Sequence, residues 1–270
     1  MRKTLLNVSE LAQEFDVLPA VMSEFLGCFS PAHVAADRYT AEADTMLFIH
    51  IPKTAGVSIG RTFQDAFDEF RGVQWNNVTR SFRAATRQGV YEQTYLKKRQ
   101  VIMGHFGWPE MQIWRNHEMP MKCGTIFRDP VARVISNYNY NCSASHPNNE
   151  EFRKTYPTIF DYVGQISLDV QLTQAIGFIT SFEHALKKLS AYYTFLGVTE
   201  HLSASLEHLG RSHGLPALKE YRENIGVPRK NDETPDELRD QIEGRSHNDR
   251  KLHVLLSRIY EAAPARLNDA

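Results

Sequence analysis

Residues 46–58 read MLFIHIPKTAGVS, and this stretch limits the architecture of the chain more than any other. An apolar run from Met46 to Ile51 stops at Pro52, and a helix-patterned segment follows after a few small residues. An apolar strand without polar alternation belongs in a sheet covered on both faces, where a helix makes the next connection. The junction carries Lys53, Thr54, Ala55, Gly56, Val57 and Ser58. Backbone N–H groups and the positive end of a helix dipole attract an anion at such a place, and a lysine adds a full charge. Ala55 and Gly56 are small enough to let the backbone approach that anion closely. The spacing is not that of the common nucleoside-triphosphate loop, G-x-x-x-x-G-K-[ST], in which the lysine follows the glycines. Here Lys53 precedes Gly56. His50 stands just before the loop and is expected to be packed inside the strand.

A second junction lies in TIFRDPVARVISNYNY, residues 125–140. Lys122 to Phe127 reads as a strand. Asp129 suits a helix N-cap, and Pro130 suits the first helical position, where its missing N–H costs nothing. Val131, Val134, Ile135 and Tyr138 follow at i, i+3, i+4 and i+7 and form an apolar face. Arg133, Ser136 and Tyr140 lie together on another face, and Arg128 stands at the junction itself. Ordinary capping explains Asp129 and Pro130. It does not explain two cations, Lys53 and Arg128, each placed at the end of a strand.

Together the two segments resemble the sulfotransferases that use 3′-phosphoadenosine 5′-phosphosulfate (PAPS), and most closely the branch that acts on heparan and other carbohydrates. The loop is similar to that family's hydrophobic–P–K–T–A–small–S/T segment. The pattern R-D-P-x-x-R-x-x-S-x-Y is similar to its 3′-phosphate segment. The resemblance covers most of residues 46–262, and LGVTEHLSASLEHL adds the family's V-T-E junction. It implies a P-loop-like sulfotransferase fold, α/β, with a central parallel sheet flanked by helices. It also implies that Lys53, Thr54, Ala55, Gly56, Val57 and Ser58 hold the 5′-phosphosulfate, and that Arg128 and Ser136 hold the 3′-phosphate. An arginine fork with a hydroxyl is sound chemistry for a phosphate monoester. Arg229 and Lys230, in the basic segment VPRKN, are expected to close over the nucleotide. Val57 departs from the family, which often has a second hydroxyl there.

Sulfuryl transfer, like phosphoryl transfer, asks mainly for positioning and charge stabilisation. Lys53 is expected to face the phosphate oxygen that gains charge as it departs. The acceptor hydroxyl must lose its proton, and histidine suits that task best. VIMGHFGW places His105 directly after a short strand, so it is the expected general base, with Glu110 as second choice. No metal is expected, since Lys53 and Arg128 neutralise the phosphates and no ligand spacing is present. Arg83 and Arg87, within a basic stretch over residues 80–99, and Trp108 are the expected contacts for a hydroxyl-bearing acceptor, with a carbohydrate favoured. A small-molecule, lipid or polyketide hydroxyl is the alternative. An ATP- and Mg²⁺-dependent kinase fits less well, because the lysine is misplaced and no clear acid marks a strand end. A non-catalytic nucleotide-binding protein is the remaining reading.

The rest of the chain narrows these readings. A net charge of −1 gives no general attraction to nucleic acid. Three scattered cysteines suit reduced, buried thiols. With no signal-peptide pattern and no apolar stretch of roughly 20 residues, the expected location is cytoplasmic. Two divisions are expected: residues 1–45, a helical arm and connector, and 46–270, the PAPS-dependent sulfotransferase domain. In the arm, Leu11, Phe15 and Leu18 suggest one helix, and Val21, Met22, Phe25 and Leu26 a second. Ile59, Phe63, Ala66, Phe67 and Phe70 keep helical spacing after the loop. Residues 141–157 read as loop, and helices are expected over 158–175, 181–192, 232–243 and 248–260.

Overall fold

The computed structural model describes residues 6–29, 45–73, 99–116, 122–221 and 234–266. Five strands, β1 (Thr45–Ile49), β2 (Glu69–Val73), β3 (Gln100–Gly104), β4 (Lys122–Phe127) and β5 (Phe195–Val198), form one parallel sheet in the order β2-β3-β1-β4-β5. The described helices are α1 (Val8–Phe15), α2 (Pro19–Gly27), α3 (Gly56–Ala66), α4 (Trp108–Asn116), α5 (Pro130–Cys142), α6 (Asn149–Thr155), α7 (Ile159–Gln165), α8 (Val170–Ile176), α9 (Phe182–Tyr192), α10 (Leu202–His213), α11 (Asp236–Arg245) and α12 (His247–Arg266).

Every residue of β1, β3 and β5 is buried, which is why these strands read as continuous apolar runs. Side chains still alternate between the two faces. Met46 and Phe48 of β1 point to one core with Ile59 and Phe63 of α3 and Leu209 of α10. Leu47 and Ile49 point to the other, which holds residues of α8, α9 and α12. Leu11, Phe15, Met22 and Phe25 belong to this second core together with Leu186 and Leu189, so α1 and α2 share the hydrophobic core of the sheet.

β1 is central, and its register sets the site. Ile49 is level with Gly104 of β3 and with Thr125 of β4. The residues that follow, His50 and His105, therefore leave the sheet side by side, and the His50 amide extends the ladder to the Gly104 carbonyl at 2.8 Å. The sheet grows outward from β1 in both directions, so the crevice beyond its carboxyl end is the ligand-binding switch point of an open α/β sheet.

Four local expectations are corrected. Leu18 is not on α1, which ends at Asp16 with φ 54; it precedes α2 and is 58% exposed. Phe70 does not continue α3. The chain turns extended at Phe67, and Phe70 pairs with Val101 in the edge strand β2, whose sequence EFRGV offers only Phe70 and Val73 as strand formers. Residues 149–155 are helical. The expected helix over 158–175 is two helices. Between them Asp169 adopts φ 44, and its carboxylate accepts from the amides of Asn248 and Asp249. That break is made by a partner distant in sequence.

Three partly or wholly buried histidines tie stability to pH. Burial holds His50 at about 3, His208 at about 4 and His213 at about 3. In the unfolded chain each takes up a proton below about 6.5, whereas the folded chain keeps all three neutral. Their contribution is complete above that value and is lost as pH falls toward the folded values. Buried Asp249, raised to about 6, takes up a proton in the folded chain over the same range and offsets part of the loss, so stability measured in urea should drop by about 2 kcal/mol between about pH 6.5 and 5.5. A flat profile over that range would show that the folded protein accepts these protons.

Candidate active site

The loop after β1 is shaped by its own backbone. The Thr54 amide and hydroxyl both return to the Ile51 carbonyl, at 3.3 and 2.8 Å. Thr54 is 1% exposed, so its side-chain proton braces the turn. Lys53 and Ala55 both adopt the left-handed region, with φ 73 and 59, a conformation costing about 1 kcal/mol or more for a residue with a Cβ. Such strain clusters at ligand-binding sites. Ala55 is the N-cap of α3 and supplies no side-chain cap, so the helix opens with N–H groups that lack an intrahelical acceptor. Val57 in that turn points outward, and Ser58 is buried.

Gly56 cannot carry a side chain here. A Cβ at Gly56 would stand 2.0 Å from Nε2 and 2.1 Å from Cε1 of His50. The imidazole cannot withdraw freely, since its centroid lies 4.5 Å from that of His105 and its Nδ1 is buried. Gly56→Ala should destabilise the fold by about 1–3 kcal/mol, and His50→Ala in the same chain should restore most of that loss. Unchanged urea stability in the single variant would contradict this packing.

His50 also organises the base. The His105 Nδ1 lies 3.1 Å from the His50 carbonyl oxygen. A carbonyl only accepts, so Nδ1 carries the proton, and Nε2 carries the lone pair. Burial lowers the pKa of His105, and the bond to the His50 carbonyl raises it in part. His50 is held neutral chiefly by burial, and protonating it beside His105 and the Lys53 ammonium would add repulsion. It therefore lies close enough to both the expected base and the expected cation to feel each of them. The second-choice base, Glu110, is already engaged: its carboxylate accepts from the Gly107 amide at 3.0 Å and caps α4.

The two junctions meet. Arg128 donates from Nη1 to the Lys53 carbonyl at 3.1 Å. The Lys53 ammonium rests 4.2 Å from the centroid of Tyr140, a cation–π contact. Burial and the neighbouring Arg128 lower the pKa of Lys53. Tyr140 lies on α5 one turn beyond Ser136, so the two share a face that looks toward the loop. Asp129 caps α5 through the Ala132 amide at 2.8 Å, with Pro130 at the first helical position. Arg133, by contrast, is 5% exposed and feels Asp249.

Two groups of residues at the site carried no sequence motif. The first is on α8, in VQLTQAI. The Gln171 amide accepts from the Arg128 N–H and donates to the Arg128 carbonyl, both at 2.9 Å. The Gln174 amide donates to the carbonyls of His50 and Phe106, at 3.1 and 3.2 Å. The only signal was two glutamines three apart among apolar residues, which puts polar groups on one face of a buried helix. The second is a carboxylate network. Glu200, after β5, accepts from the Asp129 amide and lies 3.1 Å from His253, and Asp129 pairs with Arg250 at 3.0 Å. The acids that follow β4 and β5, Asp129 and Glu200, are both tied to protein partners.

Trp108 sits at the start of α4 with its ring edge-to-face to Tyr192 at 4.8 Å and under the Lys188 ammonium at 4.7 Å. Arg83, Arg87, Arg229 and Lys230 lie outside the described residues. Among the described residues no group of His, Cys, Asp and Glu is arranged to hold a metal ion, and no helix is long and apolar enough to cross a membrane.

Parallel α/β sheets that offer cations and helix N–H groups beyond their central strand bind phosphorylated ligands there, and this chain is of that class. The model of the sulfotransferase family matches residues 37–262, and the chain belongs to that family. No curated protein matches it. Among solved structures, that of mouse sulfotransferase SULT7A1 complexed with PAP is similar at 12% identity and a TM-score of 0.39, over 81% of this chain and 68% of that one.

Proposed function

We propose that the chain moves the sulfuryl group of PAPS to an acceptor hydroxyl, with a carbohydrate as the favoured acceptor. The observation that carries this reading is the contact between the two junctions, Arg128 on the Lys53 carbonyl at 3.1 Å, since a single nucleotide with two phosphate groups needs both. The opening N–H groups of α3 and Lys53 take the 5′-phosphosulfate. Arg128 and Ser136 take the 3′-phosphate, with Arg229 and Lys230 closing over the nucleotide. This donor set is cationic, and the Asp129 carboxylate at the second junction is paired with Arg250 at 3.0 Å, which suits an anionic ligand. His105 Nε2 takes the proton of the acceptor hydroxyl. Its oxygen bonds to sulfur as the bond from sulfur to the 5′-phosphate oxygen breaks, in line, and the charge left on that oxygen faces Lys53. Charge neutralisation by Lys53 and Arg128 leaves no step that calls for a metal ion.

The carbohydrate reading draws on Arg83, Arg87 and Trp108. A small-molecule or lipid hydroxyl is the second reading, and one contact favours it: a sugar stacking on Trp108 must compete with the Lys188 ammonium. Incubation with radiolabelled PAPS and a panel of desulfated polysaccharides, oligosaccharides, phenols and sterols separates the two. Label in the polysaccharide or oligosaccharide is expected. Label confined to the phenols or sterols would select the second reading.

A further inference from the structure

We propose that Gln174 is the residue that positions the base, His105; this rests on the reading of His105 as general base. The two share one acceptor atom. His105 Nδ1 and Gln174 Nε2 each lie 3.1 Å from the carbonyl oxygen of His50. A carbonyl oxygen has two lone pairs. With one held by Gln174, the imidazole is confined to the other, and the direction of its Nε2 is set. The same amide nitrogen donates to the Phe106 carbonyl at 3.2 Å. Gln174 thus grips the residue that follows the base as well as the residue that orients it. The backbone of α8 is also close, since a Cβ at Gly107 would fall 2.8 Å from the Gln174 carbonyl oxygen.

Gln174 is itself fixed from outside the site. One turn earlier on α8, the Gln171 amide is paired with both backbone groups of Arg128. The Gln171 and Leu172 amides are capped by the buried carboxylate of Asp249 on α12, at 3.0 and 2.9 Å. A single helix, held at its start, therefore carries one amide to the end of β4 and a second to the ends of β1 and β3. Orientation of a base to within a fraction of an ångström governs its rate, and a shift of about 1 Å costs up to ~10²-fold.

The test is a double-mutant cycle on kcat between Gln174→Met, which keeps length and removes the donor, and His105→Ala. Gln174→Met should lower kcat by about 10- to 100-fold while affinity for 3′,5′-adenosine bisphosphate stays within about twofold. Added to His105→Ala, it should change the residual rate less than about twofold, because there is no imidazole left to orient. Gln174→Asn, which keeps the amide and loses its reach, should behave as Gln174→Met does, and it serves in its place if the methionine variant does not fold. An unaltered kcat in a folded variant overturns the proposal, as does a loss that multiplies with that of His105→Ala. Failure of the underlying reading looks different: His105→Ala alone would then retain normal turnover.

Discussion

Lys53→Ala should yield a folded protein whose transfer rate is lower by about 10³-fold or more. The backbone explains why the fold survives. Arg128 grips Lys53 through its carbonyl at 3.1 Å, not through its side chain, and alanine tolerates the left-handed φ of 73 as well as lysine does. Truncation therefore removes the ammonium and leaves the junction in place. It also frees Tyr140, 41% exposed, from its cation, at a cost to stability of about 1 kcal/mol or less. Lys53→Arg should not restore full activity, because a planar fork cannot reproduce a point charge in so small a space. Single-turnover rates and urea melts of both variants check this. A Lys53→Ala rate within about tenfold of the wild type would remove Lys53 from the chemistry.

His105→Ala should cost about 10²- to 10⁴-fold in kcat while leaving affinity for 3′,5′-adenosine bisphosphate nearly intact, since the phosphates are assigned to α3, Lys53, Arg128 and Ser136. The pH profile is the sharper readout. A base works in its neutral form, and burial lowers the pKa of His105 from its ordinary value, against a smaller rise from the His50 carbonyl. The kcat/KM of the wild type should be level above about pH 6.5 and fall only below it. In His105→Ala that acid limb should vanish. A variant that keeps the limb would place the titrating base elsewhere.

The parts of this molecule that were legible in its sequence are those made by neighbours in the chain. The apolar run ending at Pro52 and the Asp129–Pro130 cap each predict a strand-to-helix junction, and both junctions stand where expected. The helical expectation for Phe70 failed because Phe63 and Phe67 continue a helical period that the pairing with Val101 interrupts. The break at Asp169 was hidden for the same reason, as the amides it caps belong to Asn248 and Asp249. His105 could be placed beside the loop from the sequence. Its tautomer could not, because the atom that sets it is a carbonyl on another strand. Gln171 and Gln174 belong to no motif that the sequence displays. Only the fold turns their amides onto the strand ends.

A site for one nucleotide with two separate phosphate groups can be probed by calorimetric titration. The protein would be titrated with 3′,5′-adenosine bisphosphate, ADP and ATP, each with and without Mg²⁺. Tight binding of the bisphosphate alone is expected, unchanged by the metal and weakened in Arg128→Ala. Preference for ATP with Mg²⁺ would contradict it and point to phosphoryl transfer.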